Sequence, residues 1–170
     1  VVLELFPGRR GSGNDIVMAV DEEAIPSEFH ECIEEGIREA MMSGQLGGYP
    51  VMDVAVKVTG GAYREGESSV QGYKIAASAA FRDAFRAADP IFLEPIMTVE
   101  VITPGEFTGD VIGDINSRRG EIQSVNPRGP VSEVKANVPL KALFGYSTDL
   151  RSATQGRAVF SMIFSKYDKV

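Results

Sequence analysis

The order of strands and helices in the second half of the chain leaves few folds open. Four segments have the apolar, β-branched composition of strands: 95–103, 120–125, 131–138 and 158–164. One helix is predicted from Pro104-Gly105-Glu106 to about Arg119, and another from Pro139 to Gly156. Asn126-Pro127-Arg128-Gly129-Pro130 is a turn sequence that joins the middle strands into a hairpin. Two βαβ units around a hairpin predict the ferredoxin-like βαββαβ fold.

The first half predicts strands and helices in a different order. Three segments have strand-like sequences: 1–6, 16–20 and 51–58. The first helix is expected to start with Ser27 as its N-cap, and its apolar stripe runs from Phe29 to Met41 at helical spacing. A second helix is predicted over residues 70–88.

In the second half of the chain, the last predicted helix has three expected core anchors: Leu143, Phe144 and Leu150.

We place a domain boundary at Asp89-Pro90, because the residue before a proline is disfavoured in a helix. The sequence thus predicts an α/β (α+β) protein with two domains, residues 1–90 and 91–170. The net charge of −7 lies in the first domain, which holds 8 Lys and Arg against 15 Asp and Glu, whereas the second holds nine of each. Proteins with general nucleic-acid affinity carry a basic face. Any RNA contact here is therefore expected to be local.

Several function classes lack the residues they require. His30 and Cys32 are the only residues of their kinds, and they point to different faces of a helix. We therefore predict no catalytic residue and no metal site. The glycines of residues 8–13 lack the phosphate-loop pattern and are expected to form a turn. No apolar run approaches the roughly 20 residues of a membrane-spanning helix. A single cysteine fits a cytoplasmic protein, and the missing initiator Met suggests a piece of a longer one.

The loop at residues 60–69 is the first candidate for an RNA contact. It is long for a strand-to-helix connection, and it carries Tyr63 and Arg64 at its centre. An aromatic ring can stack on a base and a guanidinium can bind a phosphate. A mobile, solvated loop is an equally good interpretation of the same residues.

The end of the last predicted helix is the second candidate. It carries polar and cationic side chains: Arg151, Ser152, Gln155 and Arg157. Arg151 and Gln155 are expected to share one helix face, where they suit a nucleic-acid backbone. The alternative is a cation that stabilises a helix C-terminus. Arg118 and Arg119 allow the same two interpretations.

Several longer segments of the chain are informative as whole sequences. They include Gly47-Gly48-Tyr49-Pro50-Val51, Ser68-Ser69, Lys74-Ile75-Ala76-Ala77-Ser78, Leu93-Glu94-Pro95-Ile96-Met97, Val138-Pro139-Leu140 and the stretches 109–120 and 144–157. Together they resemble the C-terminal two domains of bacterial elongation factor G, the GTPase that drives ribosomal translocation. The resemblance covers essentially all 170 residues. It implies that GTP and Mg²⁺ bind in an upstream domain and that this chain holds no cofactor and does not hydrolyse GTP.

Residues 1–90 resemble the fourth domain of that family, a ribosomal-protein-like α/β fold with a left-handed βαβ crossover. In the family, the tip of this domain enters the decoding site of the small ribosomal subunit and follows the tRNA–mRNA duplex. The resemblance implies four RNA-binding residues at the tip: Gly61, Tyr63, Arg64 and Glu65. The family usually has Gly-Ser-Tyr-His-Asp there, so Arg64 stands where histidine is usual.

Residues 91–170 resemble the fifth domain, which contacts rRNA of the large subunit. The resemblance implies three residues at the sarcin–ricin loop: Arg151, Ser152 and Gln155. The expected protein is a cytoplasmic monomer with the ribosome and its tRNA–mRNA as partners, and no membrane partner. Two alternatives stay open: a paralogue devoted to ribosome recycling, and a ferredoxin-like module that binds a small molecule.

Overall fold

The computed structural model describes residues 1–170 and divides them into two compact units, Val1–Pro90 and Ile91–Val170. Both units combine helices with a β-sheet, which confirms the predicted α/β class. Each unit encloses a hydrophobic cluster of its own.

Five elements build the first unit: β1 (Val2–Pro7), β2 (Asp15–Met18), α1 (His30–Met42), β3 (Val54–Gly60) and α2 (Val70–Ala87). The sheet has the order β1-β3-β2, with β1 antiparallel and β2 parallel to β3. Because α1 connects the parallel neighbours β2 and β3, the unit contains the expected βαβ crossover. The left hand of that crossover stays a prediction.

The two helices of the first unit pack closely at Gly36. A Cβ atom built on Gly36 would lie 2.4 Å from the backbone oxygen of Lys74, so only glycine fits between the helices. The largest core side chains are fully buried: Ile25, Ile33, Ile37 and Phe81. In β3, Val56 and Val58 are buried while Lys57 between them is exposed, as expected for a sheet covered on one face.

Six elements build the second unit: β4 (Leu93–Pro104), α3 (Thr108–Ser117), β5 (Glu121–Arg128), β6 (Val131–Pro139), α4 (Tyr146–Ala153) and β7 (Val159–Lys169). The sheet order is β5-β6-β4-β7, and every neighbouring pair is antiparallel. This is the predicted ferredoxin-like βαββαβ arrangement. The core lies where α3 and α4 cover one face of the sheet, around Val99, Val134 and Tyr146.

Two local predictions in the first unit are wrong. The strand expected over residues 51–58 begins only at Val54, because Asp53 has a φ of 57°, outside the range that a strand allows. Ser27 does not cap a helix through its side chain. It starts a turn of 3-10 helix, and α1 begins at His30 without a side-chain cap.

The helix predicted from Pro139 is broken in two. Leu140–Leu143 is a 3-10 turn, Phe144 is extended, and α4 starts only at Tyr146. Gly145 has a φ of 79°, a left-handed conformation that suits glycine. This turn places Tyr146 in the core and leaves Phe144 77% exposed. Phe144 is therefore not a core anchor, whereas the other two predicted anchors are buried.

Candidate nucleic-acid interface

The loop between β3 and α2, residues 61–69 and called the tip loop below, contains a hydrogen-bonded turn. The backbone oxygen of Arg64 accepts the N–H groups of Glu67 at 3.1 Å and of Ser68 at 2.9 Å. The Ser68 hydroxyl accepts the N–H of Arg64 at 2.9 Å. Ser69 then caps α2 through its own hydroxyl, as is typical of helix N-termini. Hydrogen bonds within the loop therefore fix the turn at residues 64–68 before the helix begins.

The first half of the tip loop packs on the core of its unit. A Cβ atom on Gly61 would lie 2.4 Å from Cδ1 of Ile25, so this position has no room for a side chain. The Tyr63 ring lies 5.9 Å, centroid to centroid, from the ring of Phe29. Tyr63 nevertheless keeps 38% of its surface exposed. An anchored and half-exposed ring is a suitable platform for stacking.

The charges of the tip loop oppose one another. Arg64 lies 3.4 Å from Glu67, and both side chains are largely exposed. Such a surface pair contributes about 0–1 kcal/mol, so Arg64 can leave it at little cost. Glu65 is exposed as well, which gives the loop two carboxylates against one guanidinium. The loop therefore offers an aromatic ring and backbone groups but no net positive charge.

α4 turns one side to the core and the other to solvent. Its buried side repeats every four residues: Tyr146, Leu150 and Thr154. The exposed positions are polar except for one alanine: Ser147, Thr148, Asp149, Arg151, Ser152 and Ala153. Because the buried side is anchored in the core, the direction of the exposed side chains is set by the fold. Arg151 and Ser152 therefore project from a fixed helix end.

Gln155 lies beyond the end of α4. The helix ends at Ala153, and Gln155 has a φ of 53°. The N–H of Gly156 donates to the backbone oxygen of Arg151 at 2.8 Å, which closes a Schellman turn. The prediction that one helical face presents Arg151 and Gln155 is therefore wrong. Gln155 is exposed within the turn that closes on Arg151.

Arg151 differs from the other arginines of the second unit. Four of the five form ion pairs with carboxylates: Arg118, Arg119, Arg128 and Arg157. Arg151 has no such partner and is exposed. A guanidinium without an internal carboxylate keeps its five donors available for an external anion.

Arg118 is a structural residue rather than a free cation. Its side chain is only 14% exposed and donates to Asp114 at 3.0 Å, to the backbone oxygen of Ala142 at 2.8 Å, and to Asp149. It also lies over the Tyr146 ring, 5.1 Å from the centroid. Burial lowers the pKa of Arg118, but the bonds to the two carboxylates outweigh it and raise that pKa above its usual value. Arg118 thereby neutralises Asp149 on the exposed side of α4.

The residues that could have suggested chemistry have ordinary surroundings. His30 donates one hydrogen bond from Nε2 to the backbone oxygen of Ile25, 3.1 Å away. Burial raises the pKa of the Cys32 thiol, which makes it less reactive. No group of three or more His, Cys, Asp or Glu is placed to hold a metal ion. None of the helices has the length and apolar composition needed to cross a membrane.

Comparison with known families covers both units. A family model described as "Elongation factor G, domain IV" matches residues 1–89, and one described as "Elongation factor G C-terminus" matches residues 91–170. The chain belongs to the elongation factor G family. The two matches meet where the chain divides into its compact units.

Individual relatives agree with this family. Elongation factor G 2 of Syntrophus aciditrophicus is 57% identical over 169 residues, which are 99% of this chain and 25% of that protein. Elongation factor G of Aquifex pyrophilus is 50% identical over 99% of this chain and 24% of that protein. A crystal structure of a Thermus thermophilus protein superposes with a TM-score of 0.90 at 39% identity, covering 99% of this chain and 25% of that one. The chain thus spans about a quarter of the length of these relatives.

Within this elongation factor G sequence, one feature of the interface depends on a distant residue and one on an adjacent residue. The neutralisation of Asp149 requires Arg118, which lies 31 residues away along the chain. The exposure of Phe144 follows from the left-handed Gly145. The glycine next to Phe144 was the only local signal for either feature.

Proposed function

We propose that this part of elongation factor G docks on the ribosome. In this proposal the end of α4 binds rRNA of the large subunit at the sarcin–ricin loop through Arg151, Ser152 and Gln155. The observation that carries it is the unpaired guanidinium of Arg151 on a rigid helix end. A guanidinium, a hydroxyl and an amide together supply the donors that a phosphate backbone requires.

We assign the tip loop to the decoding site of the small subunit, where it follows the tRNA–mRNA duplex. Gly61 and Tyr63 provide a rigid, partly aromatic tip. Arg64 and Glu65 contribute opposing charges, so the tip acts through shape and stacking more than through electrostatic attraction. The whole protein is then a cytoplasmic translational GTPase, and GTP and Mg²⁺ bind in its upstream part. This chain converts the conformational change of that part into movement of tRNA and mRNA.

The proposal is tested with Arg151→Ala in the intact protein that contains this chain. We expect ribosome affinity to fall about tenfold or more, because a hydrogen bond to a charged group contributes about 1.5–3 kcal/mol. Ribosome-stimulated GTP hydrolysis and translocation should slow in parallel. Arg128→Ala is the matched control, since Arg128 already pairs with Glu133 at 2.8 Å. Unchanged hydrolysis and translocation in Arg151→Ala would contradict the proposal.

A further inference from the structure

Phe144 is the most exposed large apolar side chain of this protein, at 77%. Residues close to it in sequence are buried in the core, because Leu143 and Tyr146 are only 8% and 1% exposed. Single exposed apolar residues are common on protein surfaces. A phenylalanine exposed to this extent between two buried residues, and directly before the proposed rRNA-binding helix, calls for a specific explanation.

The backbone holds Phe144 in place. Phe144 has a φ of −62° and a ψ of 127°, and the left-handed Gly145 follows it. The backbone oxygen of Gly145 accepts the N–H groups of Thr148 at 3.1 Å and Asp149 at 3.2 Å, which ties this turn to α4. The ring is therefore presented by a fixed turn. Holding it there in advance reduces the entropy that a binding partner would have to overcome.

The exposed residues nearest to Phe144 in sequence are not apolar. They are Lys141, Gly145, Ser147 and Thr148. A protein partner would require a contiguous apolar patch, which these residues do not form. Single-stranded RNA is bound by aromatic rings close to cations, because bases stack on the ring while phosphates bind the cations.

Phe144 precedes the first residue of α4 by two positions, and Arg151 lies near the end of that helix. At 1.5 Å per residue, the rise from Tyr146 to Arg151 is about 7.5 Å, short enough for one RNA loop to contact both Phe144 and Arg151. The carboxylate between them, Asp149, is neutralised by Arg118. The exposed residues of α4 therefore supply hydroxyls and a free guanidinium, and the exposed ring of Phe144 comes just before them in the chain.

We propose that Phe144 stacks on an unpaired base of the RNA loop whose backbone Arg151 binds. This inference rests on the proposed function and adds base contact to a site otherwise made of phosphate contacts. Stacking depends on a planar ring rather than on apolar volume, so tyrosine can replace Phe144 and leucine cannot. Because stacking involves no phosphate, it contributes little to the salt dependence of binding.

The test measures the affinity of the intact protein for bacterial ribosomes at graded KCl. Phe144→Leu should weaken binding about 5-fold or more with an unchanged salt slope, whereas Phe144→Tyr should bind like the parent. Arg151→Ala should lower the salt slope by about one. Phe164→Leu is the matched control, because Phe164 is also exposed but lies on β7. It should leave binding unchanged.

The outcomes separate stacking from the alternatives. Normal binding by Phe144→Leu beside weak binding by Arg151→Ala would overturn the stacking of Phe144 and leave the proposed function intact. Normal binding by both variants would overturn both proposals. Thermal unfolding of the intact Phe144→Leu protein provides a second criterion. A lowered unfolding temperature would mean that another protein segment covers the ring, and would also overturn the inference.

Discussion

The tip loop and the segment from Phe144 to Gln155, which contains α4, carry the same kinds of side chain but use them differently. Each offers one aromatic ring and one arginine to solvent. In the tip loop, Arg64 lies beside two glutamates and Tyr63 rests on the core. At the end of α4, Arg151 is unpaired and the nearby Asp149 is neutralised by Arg118. The availability of charge, rather than the number of basic residues, distinguishes the two segments.

The two segments are also held by different forces. The tip loop depends on backbone hydrogen bonds, a capping serine and the close approach of Gly61 to the core. α4 is held by three buried side chains and by the bonds of Arg118. A helix anchored in this way can present a charge in a fixed direction. The comparison therefore predicts different consequences when each support is removed.

The largest effect is expected when Arg118 is removed. Arg118→Ala should lower the free energy of unfolding of the second unit by about 3 kcal/mol, because it removes charge-assisted hydrogen bonds to Asp114 and Asp149 together with the bond to the backbone oxygen of Ala142. Denaturant unfolding of the chain measures this. Arg38→Ala, which breaks the exposed pair with Glu34 in α1, should cost only about 0.3–0.5 kcal/mol. Equal losses in the two variants would show that Arg118 does not support α4.

A smaller loss is expected at the base of the tip loop. Gly61→Ala should destabilise the first unit by about 1–3 kcal/mol, because the new methyl group would overlap with Ile25. Gly113→Ala in α3 is the control. A Cβ atom there meets nothing within 4 Å, and alanine is the better helix former by up to about 1 kcal/mol. If Gly61→Ala unfolds at the same denaturant concentration as the parent, Gly61 is not packed tightly against the core.

The smallest effect at neutral pH is expected at Tyr146, under α4. Burial raises the pKa of its hydroxyl to about 12, with Asp114 adding to the shift and Arg118 opposing it. The unfolded chain loses this proton near pH 10, so the second unit should lose stability as the pH rises from about 10 to about 12. The hydroxyl has no hydrogen-bond partner, so Tyr146→Phe should be nearly neutral at pH 7.

The free energy of unfolding of the parent and of Tyr146→Phe is measured at pH 7 and between pH 10 and 12. The alkaline loss of stability should be smaller in Tyr146→Phe than in the parent. An identical alkaline loss in both proteins would exclude Tyr146 as its source. Tyr63→Phe serves as the control, because the Tyr63 side chain is exposed.

Much of the fold follows from local sequence patterns. The apolar, β-branched composition predicted the strands of the second unit, and the alanine-rich segment predicted α2 to within one residue of its observed end. Both predictions succeeded because strands and helices of this kind are determined by residues that are close in sequence. The break before α4 was missed because a single glycine in a left-handed turn decided between a continuous helix and two short ones.

The candidate interface was less predictable than the fold. The sequence shows that Arg118 and Arg151 are both arginines at predicted helix ends, which suggested the same role for each. Their difference lies in partners: Arg118 meets Ala142 and Asp149, which the tertiary fold brings to it. No local rule distinguishes a paired arginine from a free one. Gln155 was misplaced for a related reason, since the helix ends two residues before it.

The central claim is that an unpaired guanidinium on α4, and not the arginine of the tip loop, attracts this chain to RNA. Its most direct test is the ribosome affinity of Arg151→Ala and Arg64→Ala, measured in the intact protein at graded KCl. We expect Arg151→Ala to weaken binding about tenfold or more and to lower the salt slope by about one. We expect Arg64→Ala to change affinity less than about threefold, because Glu67 already offsets its charge. A larger loss of affinity in Arg64→Ala than in Arg151→Ala would contradict these roles of the two arginines.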